Sequence, residues 1–138
     1  MENGNINRTP KTTDSLGYLI VRVSTALGAI PLENATVHIR GGSPADSGVI
    51  YSLLSDRDGL TPRVSLPTPP KERSDSPGSP TPFSAYNVEV IKEGYIPVSF
   101  QNIPVYPDIV SVQPAVLIPK SERAIYEQIY NESTAPRL

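Results

Sequence analysis

The sequence predicts an all-β fold, a seven-stranded antiparallel Greek-key sandwich followed by a short C-terminal helix. Apolar residues alternate with polar ones at a period of two along most of the chain, which is the pattern of half-buried strands. Turn-forming Gly, Pro, Asp and Asn residues interrupt this alternation about every ten residues. Because a helical period appears only near the C-terminus, strands must build the core.

The chain has 138 residues, a length that predicts one domain with a hydrophobic core. Residues 1–16 are polar and without periodicity, and we interpret them as a disordered arm. Residues 17–119 form the predicted sandwich, which carries a proline-rich insert at 67–84. Residues 120–138 are predicted to be a short helix and a frayed tail.

The first four predicted strands precede the insert. In the first, residues 17–24, Leu19, Val21 and Val23 share one face. A turn region follows, and Asp58-Gly59 later in the chain predicts a hairpin between the third and fourth strands. The second to fourth strands are predicted at 35–40, 49–54 and 63–66.

Three further strands are predicted after the insert, at 85–92, 95–100 and 109–118. Tyr86, Val88 and Val90 point to one face of the fifth strand. Glu93-Gly94 predicts the turn that follows it. We therefore expect Val21, Val88 and, in the second strand, Val37 to lie in the core.

Four segments in this order resemble the carboxypeptidase regulatory-like, or transthyretin-like, β-sandwich family. They are G-Y-L-I-V-R-V from Gly17, G-A-I-P-L-E-N-A-T-V-H-I at 28–39, S-D-R-D-G-L at 55–60 and Y-N-V-E-V-I-K-E-G-Y at 86–95. The family shows a G-x-P-L-x-G-A-x-V second strand, a T-D-x-x-G turn and a G-Y hairpin. Asn34 stands where the family often has Gly, and the proline-rich insert is a second departure.

A narrower resemblance comes from the insert, I-P-V at 103–105 and S-V-Q-P-A-V-L-I-P at 111–119. These segments are similar to transthyretin-like modules beside peptidoglycan-binding or spore cortex-lytic domains in clostridia and related bacteria. The resemblance implies an accessory role without catalysis and a spore-associated location. A cytoplasmic location is the alternative, since residues 1–15 do not have the pattern of a secretory signal.

The composition argues against most reaction chemistry, and we expect no enzymatic activity and no cofactor. There is no Cys, and the single His38 has no evident catalytic partner. The transthyretin-like hydrolases of 5-hydroxyisourate rely on several His residues, so the resemblance does not extend to them. Asp56 and Asp58 do not have the spacing of an EF-hand loop, and we expect no metal site.

The chain's charge and apolar pattern also limit its partners. Lys and Arg number 12 against 14 Asp and Glu, so we expect no nucleic-acid binding. The apolar runs are far shorter than a membrane span, so we expect no membrane partner. A protein, a cell-wall component or a second copy of the chain is the expected partner.

Two segments are candidates for contacts with such a partner. The insert favours extended polyproline conformations that aromatic grooves bind, or else it is a flexible loop. A C-terminal apolar stripe has i, i+4 spacing and must dock on its own sandwich, on a sister chain or on a partner, unless it frays. The candidate interaction residues are Pro69, Pro70, Pro77, Pro80, Pro82 and Phe83 in the insert, and Ile125, Tyr126, Ile129 and Tyr130 in the stripe.

We therefore expect a non-enzymatic accessory or structural module that mediates protein or cell-wall contacts. One alternative is a self-assembling subunit of a spore surface, an appendage or a phage-like particle. A carbohydrate- or peptidoglycan-binding module is a second alternative. It is the weaker one, because sugar sites need exposed aromatic residues and the chain has no Trp, seven Tyr and two Phe.

Overall fold

The computed structural model describes residues 15–43, 48–71 and 82–122. In these residues the predicted all-β sandwich is confirmed, with two sheets built from eight strands. The strands are β1 (Ser15–Thr25), β2 (Ile30–Pro31), β3 (Thr36–Gly41), β4 (Val49–Leu54), β5 (Val64–Thr68), β6 (Ser84–Ile91), β7 (Val98–Val105) and β8 (Val110–Val116). Residues 120–122 are helical, at the predicted start of the C-terminal helix.

Sheet A is organised around β1, its central strand. β5 pairs with the first half of β1, and the short β2 pairs with its last two residues. β8 pairs along the opposite edge of β1. Sheet B has the order β4-β3-β6-β7, with antiparallel neighbours throughout.

The core lies between the two sheets and takes alternate residues from each strand. Val21, Val37 and Val88 are buried, as the alternation predicted. Leu66, Val105 and Leu117 add further fully buried side chains from β5, β7 and the end of β8. Burial of branched aliphatic side chains from both sheets is therefore the main stabilising contribution.

The strand count and the strand directions differ from the sequence prediction. The described residues form eight strands rather than the predicted seven, because Ile30 and Pro31 extend the turn after β1 into a short pairing. The β1–β8 pair is parallel, whereas all pairs were expected to be antiparallel. Since β7 lies in sheet B and β8 in sheet A, the chain crosses between sheets and enters β8 in the direction of β1.

The prediction of a hairpin at Asp58-Gly59 is wrong. β4 belongs to sheet B and β5 to sheet A, so the turn between them connects the two layers. The Asp56 Oδ1 atom accepts hydrogen bonds from the N–H groups of Asp58 and Leu60, each at 2.9 Å. The same turn residues therefore build a crossover held by an aspartate side chain.

The predicted domain boundaries shift by a few residues. β1 begins at Ser15, inside the predicted arm, because it pairs with the end of β5. Pro67 and Thr68 belong to β5 and Ser84 to β6, so the insert is shorter than 67–84. Within the described ranges, no helix is long and apolar enough to cross a membrane.

Candidate interaction surface

The outer faces of the two sheets differ in polarity. Sheet B presents the polar side chains of Thr36, His38 and Glu89 on its two central strands, and the exposed apolar Leu54 on its edge strand β4. Sheet A presents a continuous group of exposed or half-buried apolar side chains from β1 and β8, which we call the apolar face. It consists of Leu16, Tyr18, Ile20, Val110, Val112 and Val116.

The alternation of β8 is inverted relative to that of an ordinary surface strand. Val110, Val112 and Val116 point outward and are 44%, 50% and 41% exposed. Ser111 and Gln113 lie on the opposite side, where they line a crevice of about 230 Å³ between β7 and β8. An outward row of valines beside an inward polar pair is typical of a strand whose outer face is buried by another surface.

The pairing of β8 with β1 makes this apolar surface contiguous. Tyr18 lies opposite Val110, and Ile20 lies opposite Val112. Directly opposed side chains on one face of a sheet are close enough to contact each other. The face is therefore a patch two strands wide, and its apolar side chains adjoin one another.

The outer edge of β8 is open, and a proline interrupts it. Tyr18 N–H donates to the Ile109 carbonyl at 2.9 Å, and Leu117 N–H donates to the Ser24 carbonyl at 2.7 Å. In a parallel pair, alternate residues of one strand bond to the other strand. The odd-numbered residues of β8 bond to β1, so the N–H and C=O groups of its even-numbered residues point to the other edge. No described strand pairs there, and Pro114 contributes no N–H. Partner binding by strand addition is thus disfavoured, and contact through the face is favoured.

Arginine side chains lie on the outer face of sheet A. Arg22 is exposed on β1, opposite Pro114. The Arg63 guanidinium lies 4.9 Å from the centroid of the Tyr18 ring. A partner surface would therefore gain from carboxylates placed around its apolar centre.

A strained turn lies where β1 ends. Ala26 and Leu27 have φ values of 54° and 58°, in the left-handed region that favours glycine. Leu27 is 99% exposed, so no packing in the described structure compensates this conformation. The exposed Ile30 lies just beyond the turn.

Four predicted site residues of the insert lie within the described ranges, at its two ends. Pro69 and Pro82 are half-buried. Pro70 had been expected to contact a partner, but it is buried and therefore not accessible. The exposed Phe83 packs against Tyr106 with ring centroids 5.5 Å apart. Pro77 and Pro80 lie outside the described residues, as do Ile125, Tyr126, Ile129 and Tyr130.

The lone histidine belongs to a polar group on sheet B. His38 Nδ1 lies 3.7 Å from Glu89 Oε1, and Arg40 Nη2 lies 3.9 Å from the same oxygen. His38 and Glu89 are directly opposite each other on β3 and β6. The arrangement is a partly exposed cross-strand group. Throughout the described ranges, no three His, Cys, Asp or Glu side chains are grouped to hold a metal ion.

The apolar face was not identified from sequence. A signal for it is present in the first half of β1, where Leu16, Tyr18 and Ile20 make the second face apolar up to Arg22. A strand that is apolar on both faces is typical of burial on both sides.

Comparisons with known proteins support the fold. No protein-family model matches the sequence, and no curated protein is detectably similar to it. Among solved structures, the Bacillus anthracis TIE protein is 15% identical with a TM-score of 0.48, covering 76% of this chain and 17% of that chain. Chlorocatechol 1,2-dioxygenase from Pseudomonas putida is 18% identical with a TM-score of 0.50, covering 79% of this chain and 62% of the dioxygenase. This chain thus spans less than two thirds of either neighbour.

The dioxygenase corrects one expectation drawn from the sequence. We had expected no enzymatic activity, but a solved structure with a similar fold is an enzyme. The fold is therefore no ground for excluding catalysis. At 18% identity the likeness concerns the fold alone and assigns no reaction to this chain.

Proposed function

We propose that this chain is a contact module of the transthyretin-like, carboxypeptidase regulatory-like kind, and that it binds a partner protein through the apolar face. The inverted alternation of β8 carries the proposal. Val110, Val112 and Val116 would lose unfavourable contact with water on binding.

The family assignment is supported by where the resembling motifs lie. The segment at 28–39 contains the end of the turn after β1, strand β2 and most of β3. Gly59, in the motif at 55–60, has a positive φ of 82° in the crossover turn, and Gly94 has one of 87° between β6 and β7. These glycines occupy backbone positions that other residues adopt only with strain.

The chemistry of the partner follows from the face. Its contact surface is apolar at the centre, to match the valines of β8, and carries carboxylates opposite Arg22 and Arg63. A spore-associated or wall-related setting is part of the proposal and rests on the family resemblance. Sugar binding is less favoured, because Phe83, at 48%, is the one exposed aromatic side chain among the described residues.

Site-specific photocrosslinking in the source cells tests this function. A benzoylphenylalanine residue replaces Val112 in the full chain, and a matched variant carries it at Ser52, which is exposed on the outer face of sheet B. We expect Val112 to yield a discrete adduct with another polypeptide. Mass spectrometry should place that adduct on an apolar segment flanked by Asp or Glu. Equal adducts from both positions, or none with another polypeptide from Val112, would overturn the proposal.

A further inference from the structure

We infer that the outer edge of β4 is a site for strand pairing, and that it pairs with β4 of a second copy of this chain. The two strands run antiparallel about a two-fold axis and join both copies of sheet B into one sheet. The pairing is independent of the proposed function, because β4 belongs to sheet B and the apolar face to sheet A.

β4 is an edge strand without the protection that the other edge strands have. Its residues, Val49–Leu54, include no proline and no charged side chain. Proteins usually place such residues on a strand edge, because an open row of N–H and C=O groups pairs with other strands. Each other edge strand of the two described sheets contains a proline: Pro31 in β2, Pro67 in β5, Pro104 in β7 and Pro114 in β8.

A tyrosine holds β4 in place beside the core. Tyr51 is partly buried against the core cluster, and its hydroxyl donates a 2.9 Å hydrogen bond to the Ser65 carbonyl of β5. The Tyr86 hydroxyl donates to the next outward carbonyl of β5, that of Pro67. Side chains therefore occupy the edge of β5, whereas β4 presents its own edge as a fixed, extended strand.

The outer edge of β4 carries the backbone groups of Ser52 and Leu54. The N–H of Ser55 donates to the Ala35 carbonyl at 3.0 Å, and the Ser55 carbonyl accepts from the N–H of Asn34 at 2.9 Å, so Ser55 bonds towards β3. In an antiparallel pair, alternate residues of one strand bond to the same neighbour. The N–H and C=O groups of Ser52 and Leu54 therefore point away from β3, and no described strand pairs with them there.

The sequence of β4 complements itself in antiparallel orientation. When Ser52 lies opposite Ser52 of the second copy, the free backbone groups of the two strands meet in phase. Leu54 then lies opposite Ile50 of the second copy, and these side chains are 57% and 42% exposed in the single chain. The pairing opposes no like charges within β4, because the strand has no charged residue.

The assembly closes at two chains. A two-fold pairing uses the β4 edge of both copies, so no such edge remains for a third. The joined sheet ends on both sides in β7, where Pro104 lacks an N–H and Asn102 has a positive φ of 60°. A single strand pair buries little surface, so we expect a weak dimer that forms as the protein concentration rises.

The pairing also states what the photocrosslinking control at Ser52 reports. An adduct from that position would join two copies of this chain, whereas the adduct expected from Val112 contains a different protein. Mass spectrometry distinguishes the two products. Only equal adducts with the same foreign protein then count against the proposed function, and the two proposals can fail separately.

Interchain disulfide formation tests the pairing in the full chain, which has no native cysteine. Ser52→Cys places the two cysteines opposite each other, with Cα atoms about 5.5 Å apart and within disulfide range. Leu54→Cys is the matched control, because Leu54 is exposed on the same edge but lies about 14 Å from its counterpart in this register. Under mild oxidation, Ser52→Cys chains should become disulfide-linked at least about tenfold faster than Leu54→Cys chains. Equal rates, or faster linkage through Leu54→Cys, would overturn the inference.

Opposed charges at the same position test the non-covalent dimer by sedimentation velocity. Ser52→Lys should raise the dissociation constant at least about tenfold, because two ammonium groups would lie directly opposite each other. Ser99→Lys, exposed on the other edge strand of sheet B, should leave the dimer unchanged. An equimolar mixture of Ser52→Lys and Ser52→Asp chains should restore it. Wild-type chains that stay monomeric at every concentration, or a mixture that does not restore the dimer, would contradict the pairing.

Discussion

The hydroxyl of Thr25 donates a 2.7 Å hydrogen bond to the carbonyl oxygen of Leu117, 92 residues later in the chain. The N–H of Leu117 donates in turn to the Ser24 carbonyl at 2.7 Å. Thr25 is buried, and Leu117 is fully enclosed in the core. The two bonds fasten the end of β8 to the end of β1.

Thr25→Val is expected to destabilise the protein by about 1–3 kcal/mol, because the buried Leu117 carbonyl loses the hydroxyl partner while the side-chain volume is nearly unchanged. Urea unfolding followed by circular dichroism measures the change. The control Thr36→Val, on the outer face of sheet B, should stay within about 0.5 kcal/mol of wild type. Equal effects of the two changes would show that the hydroxyl contributes nothing.

The core residues give a second prediction. Val21→Ala, Val37→Ala and Val88→Ala each remove buried methyl groups and should cost about 1–3 kcal/mol in the free energy of unfolding. Arg22→Ala and Glu89→Ala change neighbouring outward side chains and should cost no more than about 0.5 kcal/mol. Chemical denaturation of the five variants compares the two sets, and overlapping values would contradict the assigned faces.

Two glycines with similar backbone angles form a matched pair. Gly59 and Gly94 have φ values of 82° and 87°. A Cβ at Gly59 would lie 2.3 Å from the Val23 carbonyl oxygen, whereas one at Gly94 meets nothing within 4 Å. Gly94→Ala should therefore cost about 1–2 kcal/mol from backbone strain, and Gly59→Ala about 1–3 kcal/mol more from overpacking. Thermal unfolding of both variants measures this difference in stability. Equal losses would mean that the crossover turn moves to make room for the added Cβ.

The turn after β1 offers a stabilising change. Leu27 has a left-handed backbone and a 99% exposed side chain, so Leu27→Gly relieves strain and loses no burial. We expect a gain of about 0.5–1 kcal/mol in urea unfolding. Ala29→Gly, in the same turn but without a positive φ, should lose about the same amount. A loss in both variants would mean that Leu27 makes a stabilising contact.

The alternation of apolar and polar residues predicted which side chains of each strand lie in the core. Leu19, Val21 and Val23 share the buried face of β1, and Val88 and Val90 that of β6, as expected. The period of two carries this information because it states which residues share a side. It also placed β4 with its exact bounds, Val49–Leu54.

Alternation does not state which strands pair, nor which of two apolar sets faces inward. The parallel partnership of β1 and β8 joins residues far apart in sequence, and no local signal records it. In β8 the valine set is the more apolar one, yet Ala115 and Leu117 enter the core and Val112 and Val116 point outward. The candidate surface thus depends on a tertiary choice that alternation leaves open.

Pro114 has a consequence for how this protein can assemble. A sheet edge that offers every N–H group invites one copy after another, and growth of that kind has no natural end. Pro114 lies within β8 and has no backbone N–H, so the free edge of β8 cannot offer an unbroken row of donors to another strand. Contacts through the face instead close once two surfaces meet, so the molecule is directed towards complexes of fixed size and away from fibres.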